Sequence, residues 1–445
     1  MSGDPTAEVT DLLQQLIRNA CVNDGTDSSG HEARNAALLA DYLDGPGLDL
    51  ETFEPAPERT SLVARIGGSD PDAPALMLMG HTDVVPANAD GWRRDPYGGE
   101  LVDGEVWGRG AIDMLNLTAS MAVAMRALAD HGFRPKGDVV YLAVADEEAL
   151  GEHGAKWLLD HESDAVRTDY VITEGGGSVM ETPTGPKVLV STAEKGALWC
   201  LLRVKGTPSH ASMPLRTDNA LVKAATLVDR LAQYRPVAHI TEVWRQYVGA
   251  LGLDPDLSAA LVDPSRVYDT CLALDQLDLA RRSHACTHTT FAPTILHAGT
   301  KTNVIPDTVE LEVDIRALPG QTSDDVRRML DEVIDDLRDS VEIVRIAGEE
   351  ATSSPLDTPL WAALQRAAAS VSPGVKVVPS LMAGATDARF FRAAGVTSYG
   401  FGLMSGRIPL DELVTMFHGD NERIDLESLR LTTEMWETLV REFCG

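Results

Sequence analysis

Four segments of this chain run from apolar or glycine-rich sequence straight into a side chain able to bind a cation. That recurrence constrains the fold more than any other feature. MGHTDVVP (79–86) closes the apolar run ALMLMG with His81 and Asp83, and WGRGAIDMLN (107–116) carries Asp113 from a glycine-rich loop into a helix-like stretch. VADEEAL (144–150) follows the very apolar VVYLAV with Asp146, Glu147 and Glu148, and YVITEGGG (170–177) ends on Glu174. Each alone has a plain structural explanation, such as a strand-end turn or a helix cap. Open α/β sheets, however, gather functional groups outside the carboxyl ends of their strands, which would bring the four signals to one place.

The remaining pattern supports such a sheet. SLVARI (61–66) is another strand-like run, while Val9 to about Asn19, the stretch after Ser28-Ser29-Gly30, Leu115 to His131 and Ala155 to Leu159 have helical character. Alternating strands and helices imply an α/β layer with a largely parallel sheet. Near Lys187 the pattern changes. A strand-rich stretch is followed by a helix over Asn219 to about Tyr234, then by TILHAG (294–299) and the alternating TVELEVDIRAL (308–318). Helix (Ser323 to Leu337), strand (VEIVRI) and helix (Leu360 to Ser370) then return. The expected architecture is an α/β chain of two domains. A mixed-sheet catalytic domain flanked by helices is built from residues 1–194 and 319–445, and a smaller α+β lid domain, residues 195–318, is inserted into it.

Two residues apart in a strand, His81 and Asp83 share a face, so one can bind a cation while the other holds the imidazole ring. Adjacent Glu147 and Glu148 at a strand end repel one another unless a cation or proton compensates them. With His418 of MFHGDNERI (416–424), the set His81, Asp113, Glu148, Glu174 and His418 offers two imidazoles and three carboxylates. A bridging Asp113 gives each of two ions one histidine, one terminal carboxylate and the shared one, with a position left for water. Thiolate-free nitrogen and oxygen donors suit two zinc ions, with cobalt or manganese as substitutes. Glu147, beside a ligand and not needed as one, is the natural general base.

With 38 Lys and Arg against 68 Asp and Glu, the net charge of −30 disfavours nucleic acid and anionic membranes as partners. There is no apolar run of about 20 residues, and the opening MSGDPTAEVTDLLQQL lacks the order of a secretory signal. Five scattered cysteines without a CxxC pair suggest neither a disulfide framework nor a thiolate site. A cytoplasmic address is the expectation.

The motifs MGHTDVVP, GRGAIDM, ADEE and GATDARFF, in this order, resemble those of the di-zinc amidohydrolase and metallopeptidase family that includes acetylornithine deacetylase, succinyl-diaminopimelate desuccinylase, aminoacylase and carboxypeptidase G. The resemblance runs from about Val9 to the C-terminus. It implies that His81 and Glu174 complete one zinc site, that Glu148 and His418 complete the other, and that Asp113 bridges. Asp83 then orients His81, and Glu147 passes the proton of water to the leaving nitrogen. It further implies that His210 of GTPSHASMP stabilises the oxyanion, often across a dimer interface, and that the lid mediates a homodimer. Asn303 and Arg316, with the backbone at Gly384, Ala385 and Thr386, are implied as substrate-binding positions, and Asp387 and Arg389 as structural partners. Two departures from the family pattern, MLN at 114–116 and HGDNER around His418, leave the branch, and so the substrate, open.

Other tempting residues are set aside. His31-Glu32 lacks the second histidine of HExxH at Asn35, so it reads as a helix-start pair. His284 and His288 sit four apart, as a helical metal clamp would require, yet CTHTTF (286–291) reads as strand or loop, and Gly175 to Gly177 read as letting backbone pass close to the ions. The expected activity is hydrolysis of an amide bond in a small carboxylate-bearing substrate, an N-acyl amino acid or a dipeptide. The rivals are an exopeptidase trimming short peptides and a catalytically silent metal-binding homologue.

Overall fold

The run ALMLMG forms the strand Leu76–His81, and it is buried at every position. Leu76 and Leu78 face one hydrophobic core, while Met77 and Met79 face another on the opposite side of the sheet. A strand covered on both faces reads as continuously apolar, as expected for the interior of a parallel sheet. Val139–Val144 pairs with it in parallel, His81 standing opposite Val144. Tyr170–Thr173 pairs in parallel on its other side, and Thr397–Gly400 adds a further parallel strand. The ten-stranded sheet runs in the order Asp49–Phe53, Ser61–Ile66, Val139–Val144, Leu76–His81, Tyr170–Thr173, Thr397–Gly400, Lys187–Glu194 and Thr352–Ser353, with Val179–Met180 and Lys376–Met382 also paired to Lys187–Glu194. The first two strands run antiparallel to their neighbours, which makes the sheet mixed. Its parallel centre delivers His81, the turn after Val144 and Glu174 to one edge.

This computed structural model describes residues 4–445. They form two units, one of residues up to Thr192 with Ser354–Ser380 and Thr386–Gly445, the other of Ala193–Ser353 with Leu381–Ala385. In the first, the helices Thr6–Arg18, Leu115–Asp130, Pro359–Val371 and Leu426–Cys444 pack on one face of the sheet. Trp436 is fully buried between two of them, its Nε1 donating to Ser120 Oγ at 2.9 Å. The shorter helices Ala155–His161 and Ala388–Ala393 cover the other face through Leu158, Phe390 and Phe391.

In the second unit, Gly196–Lys205 lies between Thr308–Ala317 and Val341–Glu349, with Thr290–Ala298 at the outer edge. Alternate residues of Thr308–Ala317 are buried, as its pattern predicts, and they pack with the helices Ala220–Gln233 and Ser323–Ile334. The return to the first unit comes after Ser353 rather than at 319, because Val341–Glu349 pairs with Gly196–Lys205 along most of its length. Four helices between Glu242 and Thr287 went unread in the sequence; they are only 7 to 11 residues long. No helix among the described residues is long and apolar enough to cross a membrane.

The helix Leu115–Asp130 closes tightly on the end of the central strand. Thr118 Oγ1 donates to His81 O at 2.7 Å, and a Cβ on Gly80 would stand 2.5 Å from that hydroxyl and 3.1 Å from Thr118 Cα. Gly80→Ala is therefore expected to force strand and helix apart and to lower the unfolding free energy by about 1–3 kcal/mol, measured by urea denaturation. Wild-type stability in that variant would refute the tight closure.

Candidate metal centre

Asp113 sits on a loop rather than a strand, and the chain fixes it from a distance. A small sheet joins Glu100–Val102, Glu105–Trp107 and Arg423–Asp425, with Trp107 opposite Arg423. Beyond that pair, Gly108 N donates to Glu422 O at 3.0 Å. The Glu422 side chain is fully buried. One of its oxygens accepts from Arg109 Nη1 at 2.9 Å and Gly110 N at 3.0 Å, the other from Ile112 N at 2.6 Å and Asp113 N at 3.0 Å. Arg109 Nη2 in turn reaches His418 O at 3.3 Å. Sequence reasoning passed over Glu422. Its only local signal was an acid four residues after His418, and its partners lie more than 300 positions away.

Around Asp113 the five proposed ligands converge in two sets. His81 Nε2 lies 3.2 Å from Asp113 Oδ1 and 4.0 Å from Glu174 Oε1. His418 Nε2 lies 3.3 Å from Asp113 Oδ2 and 3.2 Å from Glu148 Oε2. Within each set the ligand atoms all lie within 4.8 Å of one another, and Asp113 belongs to both. Glu147 stands beside them in neither set. The donor chemistry and the shared carboxylate fit a pair of divalent cations.

The turn carrying Glu147 and Glu148 is held by a buried polar network. Asp146 has left-handed backbone, φ +71°, and its Oδ2 accepts from His153 N at 2.8 Å. Arg59, buried against Glu32 at 2.6 Å, also reaches Asp146 at 3.5 Å. Glu32 of the discarded His31-Glu32 pair is thus a structural anion at the start of the helix Ala33–Leu43. Asp83 acts differently from the expectation. The His81 ring nitrogen Nδ1 donates to the Asp83 main-chain carbonyl at 2.9 Å, while the nearest carboxylate oxygen is 3.5 Å away. The carboxylate instead accepts from Asn23 Nδ2 at 2.9 Å and Glu148 N at 3.1 Å, tying the two ligand-bearing turns together.

Burial dominates the protonation of this site. It pushes the Glu174 and Glu147 carboxyls well up, with neighbouring carboxylates adding to the rise. It also raises Glu148, against its bond to His418. His418, bonded to Asp113 and Glu148, is raised to about 10. Burial opposes charge on His81, yet the contacts with Asp113 and Asp83 hold it well above the usual histidine range. For the proposed ligands Glu148, Glu174, His81 and His418, a bound cation would take the place of these protons.

The remaining sequence candidates divide between the units. His210, Asn303, Arg316, Gly384 and Ala385 belong to the second, Thr386 to the first. His210 and Asn303 are neighbours: His210 pairs with Val304 across a two-stranded ladder, and Ala211 N donates to Asn303 O at 3.1 Å. Ser212 N donates to His210 Nδ1 at 3.1 Å, which leaves the ring proton on Nε2. Arg316 is paired with Asp314 through Nε at 2.8 Å. Arg389 Nη2 donates to Leu150 O at 2.7 Å. Asp387 is buried without a hydrogen bond to either carboxylate oxygen among the described residues, so the two are not the bonded pair expected. Two further readings are corrected. Gly176 and Gly177 press against the backbone of Gly400 and Gly402, where a Cβ would meet main-chain atoms at 2.2 and 2.6 Å; this contact accounts for the glycines. His284 lies inside the helix Leu277–Thr287 and stacks on His288 at 4.9 Å, an arrangement of parallel rings rather than of converging ligands.

Residues 77–442 match the model of the peptidase family M20/M25/M40. An N-fatty-acyl-amino acid synthase/hydrolase of Xenopus tropicalis is 30% identical over 383 residues, covering 85% of this chain and 74% of that protein. A succinyl-diaminopimelate desuccinylase of Maricaulis maris is 36% identical over 225 residues, 49% of this chain and 53% of that one. Among solved structures, an M20 family metallo-carboxypeptidase from Sulfolobus solfataricus shares the fold at a TM-score of 0.73 and 18% identity, over 99% of each chain.

The protonation pattern makes cation binding pH-dependent. Glu148, Glu174 and His418 hold protons more tightly when folded and ion-free than when unfolded. Their contribution to ion-free stability is therefore present below the ordinary values of 4.5 and 6.5 and is lost as pH rises through the folded ones. A bound cation removes that loss. The stabilisation by zinc over chelator, read from the unfolding temperature, is expected to be small at about pH 5.5 and to grow toward pH 8, where a hundredfold excess over Kd contributes about 2.7 kcal/mol. An increment that does not change with pH, followed by scanning fluorimetry, would contradict this account.

Proposed function

The chain belongs to the peptidase family M20/M25/M40, and from that premise we propose that it removes the acyl group from N-acyl amino acids with water activated between two zinc ions. That it is a metal-dependent hydrolase of amide bonds in small substrates follows from the family and from relatives matched over most of their length. The zinc identity, the number of ions, the substrate and the residue roles are the proposal. The observation that carries it is the pair of ligand sets sharing Asp113, with Glu147 beside both and in neither.

Two such ions lower the pKa of water and polarise the scissile carbonyl. His81, Asp113 and Glu174 would hold one, and Asp113, Glu148 and His418 the other. Glu147 takes a proton from water as the oxygen bonds to the carbonyl carbon, then delivers it to the nitrogen as the C–N bond breaks. The products are a carboxylic acid and a free amino acid. A base of this kind works best with a pKa near the operating pH, and the burial that raises Glu147 moves it in that direction. His210 is assigned to the developing oxyanion, a role supported by the proton left on Nε2. Arg316, Asn303 and the backbone at 384–386 are assigned to the substrate carboxylate.

Deacylation is placed ahead of exopeptidase action because both curated relatives described above carry names that refer to N-acylated amino acids. A homodimer through the second unit is part of the proposal. The edge strand Thr290–Ala298 exposes Ile295 and Leu296, and sedimentation would give the mass. The cytoplasmic address is supported by five buried cysteines, all free.

The experiment is hydrolysis of a panel of N-acyl amino acids and dipeptides by zinc-loaded protein. Release of free amino acid from the acylated substrates is expected, with kcat falling about 10²- to 10⁴-fold in Glu147→Gln while the metal content stays at the wild-type level. Cleavage confined to dipeptides would establish the exopeptidase instead. Full activity in Glu147→Gln would remove the general base from the mechanism. His210→Ala is expected to lower kcat about 10²- to 10³-fold with KM little changed.

A further inference from the structure

We propose that Glu422 is a positioning residue that sets the gap between Asp113 and His418 and so governs chiefly the occupancy of the cation position they share with Glu148, with a smaller effect on the His81 and Glu174 position, which takes only Asp113 of the two. This rests on the reading of those five residues as ligands. The two positions are mounted differently. His81 is paired in the ladder opposite Val144, and Glu174 directly follows Thr173, which is paired with Gly400 in the same sheet. Asp113 and His418 stand on loops, and His418 has left-handed backbone, φ +56°. Glu422 joins the loops: its carboxylate takes four hydrogen bonds from the Arg109 to Asp113 segment, and its own carbonyl accepts from Gly108 N. Arg109 carries the link on to His418 O.

Only a carboxylate satisfies this arrangement, since all four partners are donors and each oxygen accepts two of them. Glutamine keeps the shape and presents an NH₂ group to one pair of donors, so two bonds are lost and donors face donors. The loop can then relieve the conflict only by moving Asp113 or Arg109. Outer partners of metal ligands alter affinity by about 10–100-fold, and here the effect is larger at the position that takes both Asp113 and His418 than at the one that takes Asp113 alone.

The test compares wild type, Glu422→Gln and Arg109→Lys for zinc content per chain and for each zinc affinity by competition with a chromophoric chelator. Thermal unfolding of the ion-free forms reports the fold. Arg109→Lys keeps a cation beside Glu422 but cannot reach both it and His418 O, so it decides the matter if Glu422→Gln does not fold. Wild type is expected to bind two ions. In both variants one affinity should fall about 10–100-fold while the other falls less. Folded variants that bind both ions with wild-type affinity, or that lose both equally, would overturn the positioning role. Wild-type protein that binds no zinc would instead defeat the ligand assignment itself, and this inference with it.

Discussion

Mutual repulsion among buried carboxylates is the constraint around which the first unit is arranged. Asp113, Glu147, Glu148 and Glu174 crowd one edge of the sheet, and Asp83, Asp146, Asp387 and Glu422 stand close behind them. Isolated charges of one sign in so dry a setting would discharge by taking up protons, and burial does raise most of these groups. The folded chain therefore holds a site that is costly without cations and relaxed with them. Two of the acids behind the ligands have a cation from the chain itself: Arg109 pairs with Glu422, and Arg59, paired with Glu32, approaches Asp146.

The scaffold makes that crowding possible. Three parallel strands bring their ends together because they share a direction, and the cores on both faces make the sheet stiff enough to hold repelling groups in place. Thr118 clamps the backbone at His81, Asp83 ties the strand-end turn to Glu148, and the small sheet at Glu105–Trp107 brings Arg423 and its neighbours to the Asp113 loop. Rigid elements fix one ligand set directly; hydrogen-bonded loops fix the other.

The sheet, and the proposed ligands His81, Glu148 and Glu174 near its strand ends, were legible because strands buried on both faces read as unbroken apolar runs, and a polar residue at the end of such a run stands out; Asp113 and His418 lie on loops and were proposed from their motifs. What stayed hidden depends on partners far along the chain. Glu422 looked like any charge in a surface loop, because its four donors are fixed only by the fold. The alternation in VEIVRI was recognised as a strand, yet alternation does not say which sheet a strand joins, and so the second unit was ended at 318 instead of 353. Gly175 to Gly177 suggested a close approach, which was right in kind and wrong in partner, since the backbone that approaches is that of Gly400 and Gly402. The spacing of His81 and Asp83 suggested a bond through the carboxylate, and spacing cannot separate a side-chain oxygen from the main-chain oxygen of the same residue.

The ladder between Trp107 and Arg423, with the bond from Asp113 N to Glu422 spanning 309 positions, has a consequence during synthesis. A nascent chain emerges from its N-terminal end, so His81, Asp113, Glu147, Glu148 and Glu174 leave the ribosome while His418 and Glu422 are still to be translated. The growing polypeptide can pair the strands from Asp49 to Thr173 early, but Thr397–Gly400, the brace around Asp113 and the second proposed ligand set must wait for the segment through Asp425. Hydrolytic competence thus arrives near the end of translation, when most of the surrounding protein is already in place.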